Sequence, residues 1–433
     1  MDIKQKAIEA KEASTHLAAK RNEGKNQALA DIAHALNTNR EAIVRANKDD
    51  LEKAEKDSLS APLLKRLKFD KDKIDDAIEG INSLITLADP VGVTLSALEL
   101  DSNLELYRVS CPVGVIGIVF ESRPDALVQI SSLCLKSGNA VLMKGGSEAA
   151  NTNRILANII NEASIQAGIP SGWLTLLEAR SDVTEMLALD DYIDLIIPRG
   201  SNEFVQHIMK NTNIPVLGHA DGICHVYIDS AADIDMATRI AVDSKTQYVA
   251  VCNAAETLLV HKHIASTVLP ILREALEERN VEIRGCTNTR QIIDVKPATE
   301  TDWHTEYLDL IVSIKVVNSL DEAIDHINRY GSGHTDVIVT DDRSRAMRFM
   351  DYVDSADVFL NCSSRFSDGF RYGLGAEVGI STSKIHARGP VGLEGLVIYK
   401  WRILGNGQIV SDYAGPNAKS FTHRQLNSDF KSL

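Results

Sequence analysis

The stretch VGVIGIVF (113–120) follows Pro112 and is a continuous apolar run, rich in β-branched residues. A strand that is buried on both faces of a parallel sheet needs such a run, whereas a half-exposed strand alternates apolar and polar residues. Downstream, strand-like and helix-like segments alternate as far as ICHVYI (223–228). This rhythm is typical of a doubly wound α/β sheet. We therefore predict that 113–120 is a buried strand of such a sheet.

A second alternating series of strands and helices runs from about Asp233 to Asn361. Two series predict two α/β domains with a ligand-binding cleft between them, and a chain of 433 residues is too long for one core. Upstream of 113, helical spacing dominates, and LELYRVS (104–110) alternates like a half-exposed strand. Residues 363–395 have loop composition, and LVIYKWRIL (396–404) is strand-like again.

The composition is that of an ordinary globular protein, with a net charge of −14. This charge argues against a nucleic-acid partner, because neutralising phosphates requires a clustered basic surface. Six cysteines are scattered without CxxC pairs, a distribution that favours reduced thiols over a disulfide framework. We see neither a signal peptide nor an apolar run long enough to cross a bilayer. We expect a cytoplasmic protein with no membrane partner.

Common catalytic motifs are absent from the sequence: GxGxxG, GxxxxGK[ST], HExxH and GxSxG. A kinase, a zincin or an α/β-hydrolase is therefore disfavoured, and we expect no bound metal. The informative segment is KTQYVAVCNAAETLLVH (245–261), where Cys252 lies in a turn of small residues between a helix-like and a strand-like stretch. Taken alone, Cys252 is more simply explained as a small buried thiol.

In its context, the Cys252 segment resembles the nucleophile region of the aldehyde dehydrogenase superfamily, where a cysteine follows a helix and precedes a strand. The resemblance continues in the same order through SCPVGVIGIVFESRPDA (110–126), GNAVLMKGGSEA (138–149), GIPSGWLTLL (168–177) and IIPRGSNEFVQHI (196–208). Five forms resemble the branch that reduces γ-glutamyl phosphate: ESRPDA, GHADGICHVYID (218–229), VCNAAETLLVH, SGHTDVIVT (332–340) and RYGLGAEVGIST (371–382).

The resemblance implies an aldehyde dehydrogenase-like α/β fold with two doubly wound domains and a small β oligomerisation flap. Residues 1–98 and 113–230 would form the NADPH-binding domain, and 231–395 the catalytic domain with the nucleophile. The flap and tail, 99–112 and 396–433, would support a homodimer or homotetramer, since an exposed sheet edge is prone to pairing.

The resemblance also implies the reaction. Cys252 attacks L-glutamyl 5-phosphate, expels phosphate and forms a thioester, which NADPH reduces to L-glutamate 5-semialdehyde in the second step of proline biosynthesis. A glutamate 5-kinase would supply the labile substrate. Because an ordinary thiol is mostly protonated at neutral pH, we expect local positive potential, such as a helix N-terminus, to lower the pKa of Cys252.

Five residues are candidate cofactor contacts. Gly200 and Ser201 open a predicted helix whose free N–H groups suit a pyrophosphate, although a capped turn explains them equally well. Lys144 follows a buried strand and would lie at the carboxyl edge of the sheet, where nucleotides bind; a surface lysine is the simpler alternative. The resemblance implies that Lys144 and Ser147 hold the ribose and 2′-phosphate of NADPH. It also implies that Glu306 contacts the nicotinamide ribose, with a surface glutamate as the alternative.

Two positions depart from aldehyde-oxidising relatives. Those proteins carry a general-base glutamate near GHADG (218–222), and an acyl-phosphate reductase does not need that water-activating group. His219 in this segment is a candidate proton donor, or it caps the turn. Arg123 lies where many members place an oxyanion-hole asparagine, so it would hold the leaving phosphate or stabilise the oxyanion, unless it pairs with Asp125.

Substrate recognition is predicted in the loop NCSSRFSDGFRYGLG (361–375). Ser363, Ser364, Arg365 and Arg371 offer hydroxyl and guanidinium donors suited to an α-carboxylate, while a solvated polar loop explains each of them equally well.

Three other functions stay open at this point. One is a related reductase of another acyl phosphate or of an acyl-CoA. Another is a non-redox thiol hydrolase that pairs Cys252 with His219, His225 or His334. The third is a catalytically silent binding protein on the same scaffold.

Overall fold

The computed structural model describes residues 2–179, 181–218 and 221–430, and it begins with helices, as their spacing predicts. They are α1 (Ile3–Leu17), α2 (Asn22–Thr38), α3 (Arg40–Lys56), α4 (Ala61–Leu67) and α5 (Lys71–Thr86). Leu29, Ile32 and Leu36 of α2 are buried in the same core as the first parallel sheet. Two antiparallel strands follow, β1 (Thr94–Asp101) and β2 (Leu104–Pro112).

The strand predicted in VGVIGIVF is β3 (Val115–Phe120), and all of its residues are buried. The elements that follow are α6 (Pro124–Lys136), β4 (Ala140–Gly145), α7 (Ala150–Gln166), β5 (Leu174–Leu177), α8 (Ser181–Met186), β6 (Leu195–Arg199) and α9 (Asn202–Lys210). The strands form a four-stranded parallel sheet in the order β5-β4-β3-β6. Ile116 and Ile118 face one apolar core and Val115 and Val119 face another, so β3 needs apolar residues at successive positions.

A second parallel sheet occupies the next part of the chain. Its elements are β7 (Cys224–Ile228), α10 (Ile234–Thr246), β8 (Ala255–His261), α11 (Lys262–Glu277), β9 (Glu282–Gly285), α12 (Thr287–Arg290), β10 (Lys296–Pro297), β11 (Ile311–Val317), α13 (Leu320–Tyr330), β12 (Thr335–Val339), α14 (Arg343–Tyr352) and β13 (Asp357–Leu360). The seven strands have the order β10-β9-β11-β8-β7-β12-β13. The alternation predicted from the sequence is confirmed, but the short strands β9 and β10 were not predicted.

The strand β7 belongs to the second sheet, because it is hydrogen-bonded to β8 and β12. The predicted boundary at residue 230 places this strand with the cofactor-binding domain, so that boundary falls one strand too late. The division of the chain into domains otherwise stays a prediction. Within the described ranges, no helix is both long and apolar enough to cross a membrane.

The C-terminal part begins with a small hairpin and ends in the flap. Its strands are β14 (Gly379–Ser381), β15 (Gly389–Val391), β16 (Val397–Leu404) and β17 (Arg424–Gln425). Antiparallel pairing in the order β16-β2-β1-β17 forms the flap sheet. Because β1 begins at Thr94, this sheet starts earlier than the predicted residue 99. Strand β16 lies at an open edge and exposes Tyr399, Trp401 and Ile403.

Asn139 connects the first parallel sheet to the C-terminal part of the chain. Its Nδ2 donates to the Leu396 carbonyl and to the Ser137 hydroxyl, each at 2.8 Å. Its Oδ1 accepts from the Gly114 N–H at 2.8 Å. Asn139 is fully buried, so each of these groups lacks water as an alternative partner.

We predict that Asn139→Ala lowers the free energy of unfolding by about 1 to 3 kcal/mol, because it removes three hydrogen bonds of a buried side chain and takes away the partner of the Gly114 N–H. Urea unfolding followed by tryptophan fluorescence measures this change. The control is Asn211→Ala, which removes an exposed local bond to the His207 carbonyl and should cost much less. Equal losses in the two variants would show that Asn139 is not a structural connection.

Candidate active site

Cys252 lies in the turn between α10 and β8, at the amino edge of the seven-stranded sheet, and it is partly exposed. Gly222, just before the neighbouring strand β7, packs on it. A Cβ atom at Gly222 would lie 2.1 Å from the Cys252 carbonyl oxygen and 2.4 Å from its Cα. The thiol of Cys224 donates to the same carbonyl at 3.2 Å. Two adjacent strands therefore hold the turn, and only glycine fits at 222.

The loop 361–375 holds the Cys252 turn from another direction. The Asn253 amide donates to the Ser367 carbonyl at 2.6 Å, and the Ser364 hydroxyl donates to the Asn253 carbonyl at 2.7 Å. The Ser363 and Ser244 hydroxyls lie 3.2 Å apart, and they tie the loop to α10. All of these side chains are buried, so the loop positions the residue that follows Cys252.

The surroundings of Cys252 keep its thiol protonated. Burial raises the pKa of Cys252 to about 12, the charges of Glu306 and Glu377 also raise it, and the guanidinium of Arg199 lowers it. The chain reaches Cys252 from the C-terminal end of α10, whose partial charge is negative. The prediction that a helix N-terminus lowers the pKa of this thiol is therefore wrong.

A carboxylate and a guanidinium from different parts of the chain lie near the thiol. Burial raises the pKa of Glu377, whose Oε2 accepts from the Gly369 N–H at 2.8 Å. Arg199 ends β6 in the other sheet, and burial lowers its pKa. A Cβ atom at Gly379 would lie 2.8 Å from Nη1 of Arg199, so the guanidinium packs on a glycine of β14.

Glu306 connects the Cys252 turn to the first parallel sheet. The side-chain amide of Asn202, the first residue of α9, donates to Oε2 of Glu306 at 2.8 Å and to Oδ1 of Asp221 at 2.7 Å. Burial raises the pKa of Glu306. The start of α9, Glu306 and Cys252 therefore converge, so the carboxyl edge of the four-stranded sheet meets the amino edge of the seven-stranded sheet.

A buried ion pair lies behind the nucleophile turn. Nζ of Lys245 is 2.5 Å from Oε2 of Glu256, and neither side chain is exposed. Burial lowers the pKa of Lys245 and raises that of Glu256 to about 7. Glu256 also accepts from the Leu308 N–H at 3.3 Å, which fixes the segment that carries Glu306. The pair therefore joins the two ends of the nucleophile turn to the Glu306 segment.

Comparisons with known proteins agree with this geometry. The model of the aldehyde dehydrogenase family matches residues 1–290. A protein named gamma-glutamyl phosphate reductase from Pelotomaculum thermopropionicum is 66% identical over 99% of each chain, and one from Acetivibrio thermocellus is 65% identical over 99% of this chain and 100% of its own. The chain belongs to the gamma-glutamyl phosphate reductases of the aldehyde dehydrogenase family.

A solved structure of the same family confirms the predicted fold. The crystal structure of gamma-glutamyl phosphate reductase from Thermotoga maritima has a TM-score of 0.92 and 42% identity to the chain. The match covers 94% of this chain and 100% of the chain in that structure. The resemblance inferred from separate sequence blocks therefore holds over nearly the full length.

The predicted cofactor contacts of this reductase family lie along one sheet edge. Lys144 is the penultimate residue of β4 and is buried, and its Nζ donates to the Gly145 carbonyl at 2.5 Å. Ser147 is exposed three residues further on. At the start of α9, the Ser201 N–H donates to Oε2 of Glu121 at 3.2 Å, so a carboxylate already lies at this helix end. Negative charges of Asp182, Glu148 and Glu178 also act on Lys144.

Three of the predicted catalytic and substrate-binding residues are bonded to other residues of the protein. Arg123 forms an ion pair with Asp125 at 3.0 Å, which is the structural alternative considered for it. The hydroxyls of Ser363 and Ser364 are engaged within the protein, so they support the nucleophile turn. Their role in binding substrate stays a prediction.

The remaining candidates lie in the loop or outside the described ranges. Arg365 is buried, and its Nε donates to Oε1 of Gln247 at 3.0 Å. Arg371 donates to the Arg365 carbonyl at 2.9 Å. His219 lies outside the described residues.

Sequence reasoning missed Arg199, Glu377 and Gly222. A signal for Arg199 was present, because a charged residue ends the buried run of IIPR (196–199), the same pattern that identified Lys144. Gly222 and Glu377 lie in segments of ordinary loop composition, and only their contacts with distant residues reveal them.

We predict that Gly222→Ala lowers activity by roughly 100-fold or more, because its Cβ forces the backbone of Cys252 to move and small displacements of a nucleophile are costly. Steady-state kinetics measures the loss. The control is Gly80→Ala in α5, where a Cβ atom meets nothing within 4 Å. That variant should be fully active. A fully active Gly222→Ala would contradict the role given to this contact.

A second prediction concerns the protonation of Cys252. Because the thiolate is the reactive form and the pKa is about 12, alkylation of Cys252 by iodoacetamide should accelerate about tenfold per pH unit from pH 7 to 9 without a plateau. Mass spectrometry of the Cys252 peptide measures the rate, and Cys252→Ser corrects for labelling of the other cysteines. A plateau below pH 8 would show a thiolate that the structure does not predict.

Proposed function

We propose that the chain reduces L-glutamyl 5-phosphate to L-glutamate 5-semialdehyde and phosphate, with Cys252 as nucleophile and NADPH as the hydride donor. The observation that carries the proposal is the position of Cys252. Two adjacent strands of the seven-stranded sheet and the loop 361–375 hold its turn beside a nucleotide-binding type of sheet edge and a cluster of charged side chains. Full-length similarity to gamma-glutamyl phosphate reductases supports the same reaction.

The chemistry of the chain's own residues begins at the thiol. Sγ of Cys252 attacks the acyl carbonyl carbon, and phosphate leaves with the electron pair of the broken C–O bond. The backbone N–H of Cys252 would donate to the oxyanion and so stabilise the developing negative charge. Because the thiol is protonated, its proton must go to a neighbour as the S–C bond forms. Glu306 and Glu377 both act on this thiol, and burial raises the pKa of each carboxyl, which suits a proton acceptor.

NADPH supplies the hydride when it is bound, and residues of this chain fit it along one edge. The Ser201 N–H at the start of α9 already donates to the carboxylate of Glu121, which supports Gly200 and Ser201 as contacts of the pyrophosphate. Glu306 accepts from Asn202 at this helix end and its charge acts on Cys252, so it would contact the nicotinamide ribose of bound NADPH. Lys144, with Ser147 beyond it, would meet the adenosine ribose and its 2′-phosphate.

The surroundings of His225 and His334, the two hydrolase candidates within the described residues, disfavour a thiol hydrolase. His225 is fully buried, and its Nδ1 lies 2.8 Å from Oδ1 of Asp336. His334 is fully buried too, and its Nδ1 lies 2.7 Å from the Thr335 hydroxyl. In each ring the Nδ1 atom is engaged with a neighbour other than the Cys252 thiol, which disfavours either ring as the general base of a hydrolase.

We also propose that the protein works in the cytoplasm as a homo-oligomer beside a glutamate 5-kinase that supplies the labile acyl phosphate. Its six cysteines are free thiols, which suits a reducing compartment. The open edge of β16 carries the exposed side chains of Trp401 and Ile403, and such an edge is suited to pairing with a second copy.

The test runs the reaction backwards, with glutamate 5-semialdehyde, NADP⁺ and phosphate, and each component is omitted in turn. Multiple-turnover formation of NADPH should require phosphate, and NAD⁺ should be a poorer oxidant than NADP⁺. Cys252→Ala should lower turnover by at least about a thousandfold and still bind NADPH. The matched control is Cys111→Ser in the flap, which should remain active. Normal turnover in Cys252→Ala, or continued NADPH formation over many turnovers without phosphate, would overturn the proposal.

A further inference from the structure

Arg199 is a charged residue at the reaction centre for which sequence reasoning found no role. It ends β6, opposite Phe120 of β3 in the parallel register, so its side chain starts at the carboxyl edge of the four-stranded sheet. The guanidinium then packs against Gly379 of β14, where the Cα has φ +155° and no Cβ. Any side chain at 379 would displace it. The fold therefore leaves room for this guanidinium beside the Cys252 turn.

The charge of Arg199 is not neutralised by a close carboxylate. Among residues 2–179, 181–218 and 221–430, no Asp or Glu oxygen lies within ion-pairing distance of its guanidinium. Glu377, Asp125 and the Cys252 thiol act on it only through space, and the like charge of Arg123 opposes them. Arg199 is partly buried, and keeping such a cation without a close partner costs stability, so an anion that arrives there binds to a prepared site.

Of the two other guanidinium groups near the site, that of Arg123 is paired with a carboxylate, whereas that of Arg365 donates to a neutral amide. Arg123 is paired with Asp125 at 3.0 Å, and Arg365 on the other element donates to Gln247 at 3.0 Å. The charge of Arg365 also acts through space with the Cys252 thiol. The charges of Arg199, from the four-stranded sheet, and of Arg365, from the loop 361–375, therefore both act on the sulfur of Cys252. This arrangement suits a substrate that is anionic at both ends.

We infer that Arg199 binds the phosphate group of the acyl phosphate and holds it as it leaves, while Arg365 meets the opposite, carboxylate end. The inference rests on the proposed function. In the forward direction, the S–C bond forms, the C–O bond to phosphate breaks, and the departing phosphate gains a full negative charge beside Arg199. In reverse, a phosphate oxygen attacks the thioester carbonyl and the Cys252 thiolate leaves. A guanidinium fork matches phosphate geometry in both directions.

The experiment separates the phosphate step from the hydride step. In reverse, oxidation of the aldehyde to the thioester forms NADPH before phosphate is needed, so without phosphate a burst of about one NADPH per subunit measures that step alone. In Arg199→Gln, the burst should keep its size, while the KM for phosphate rises roughly 10- to 100-fold. Arg199→Lys should give an intermediate KM, because a point charge replaces the fork.

Arg365→Gln is the matched control, and it should raise the KM for glutamate 5-semialdehyde while leaving that for phosphate unchanged. An unchanged phosphate KM in Arg199→Gln, a loss of its burst, or an equal rise of the phosphate KM in both variants would overturn the assignment of Arg199. A wild-type protein without any burst and without phosphate-dependent turnover would instead overturn the proposed function.

Discussion

The contact between Gly222 and the backbone of Cys252 is the constraint on which the active site depends. With only 2.1 Å between a would-be Cβ and the Cys252 carbonyl oxygen, the segment before β7 and the turn before β8 fix each other. The hydrogen bonds from the loop 361–375 and the buried Lys245–Glu256 pair then act on a turn whose place is already set. Because these contacts come from separate elements, the thiol has little freedom to move.

The two parallel sheets contribute opposite edges to the site. The four-stranded sheet presents its carboxyl edge, with Lys144 and Arg199 at strand ends, and this is the edge at which α/β sheets commonly bind nucleotides. The seven-stranded sheet presents its amino edge, with Gly222 and Cys252 just before its strands. In a chain with a net charge of −14, the few cations at this meeting point decide where an anionic substrate binds.

Much of the fold follows from local sequence, because buried parallel strands such as β3 require continuous apolar runs and the helices between them keep their spacing. Strands β9 and β10 have only four and two residues, too few for a periodic pattern to develop. Cys252 could be identified by resemblance, but its protonation could not, since it depends on burial by the folded chain and on the charges of Glu306 and Glu377, which lie far from it in the sequence. Ser363 and Ser364 likewise carry polar groups whose partners only the folded chain defines.

The protonated state of the Cys252 thiol has a consequence for the resting protein. Peroxides and other oxidants attack thiolates, and a sulfur that oxidises beyond the sulfenic acid is lost to catalysis. A thiol with a pKa near 12 is chemically quiet at neutral pH, so the same burial that slows its ionisation also shields it from oxidative damage between turnovers. The protonated thiol of Cys252 therefore resists oxidation between turnovers, and the thiolate is the form that reacts with substrate.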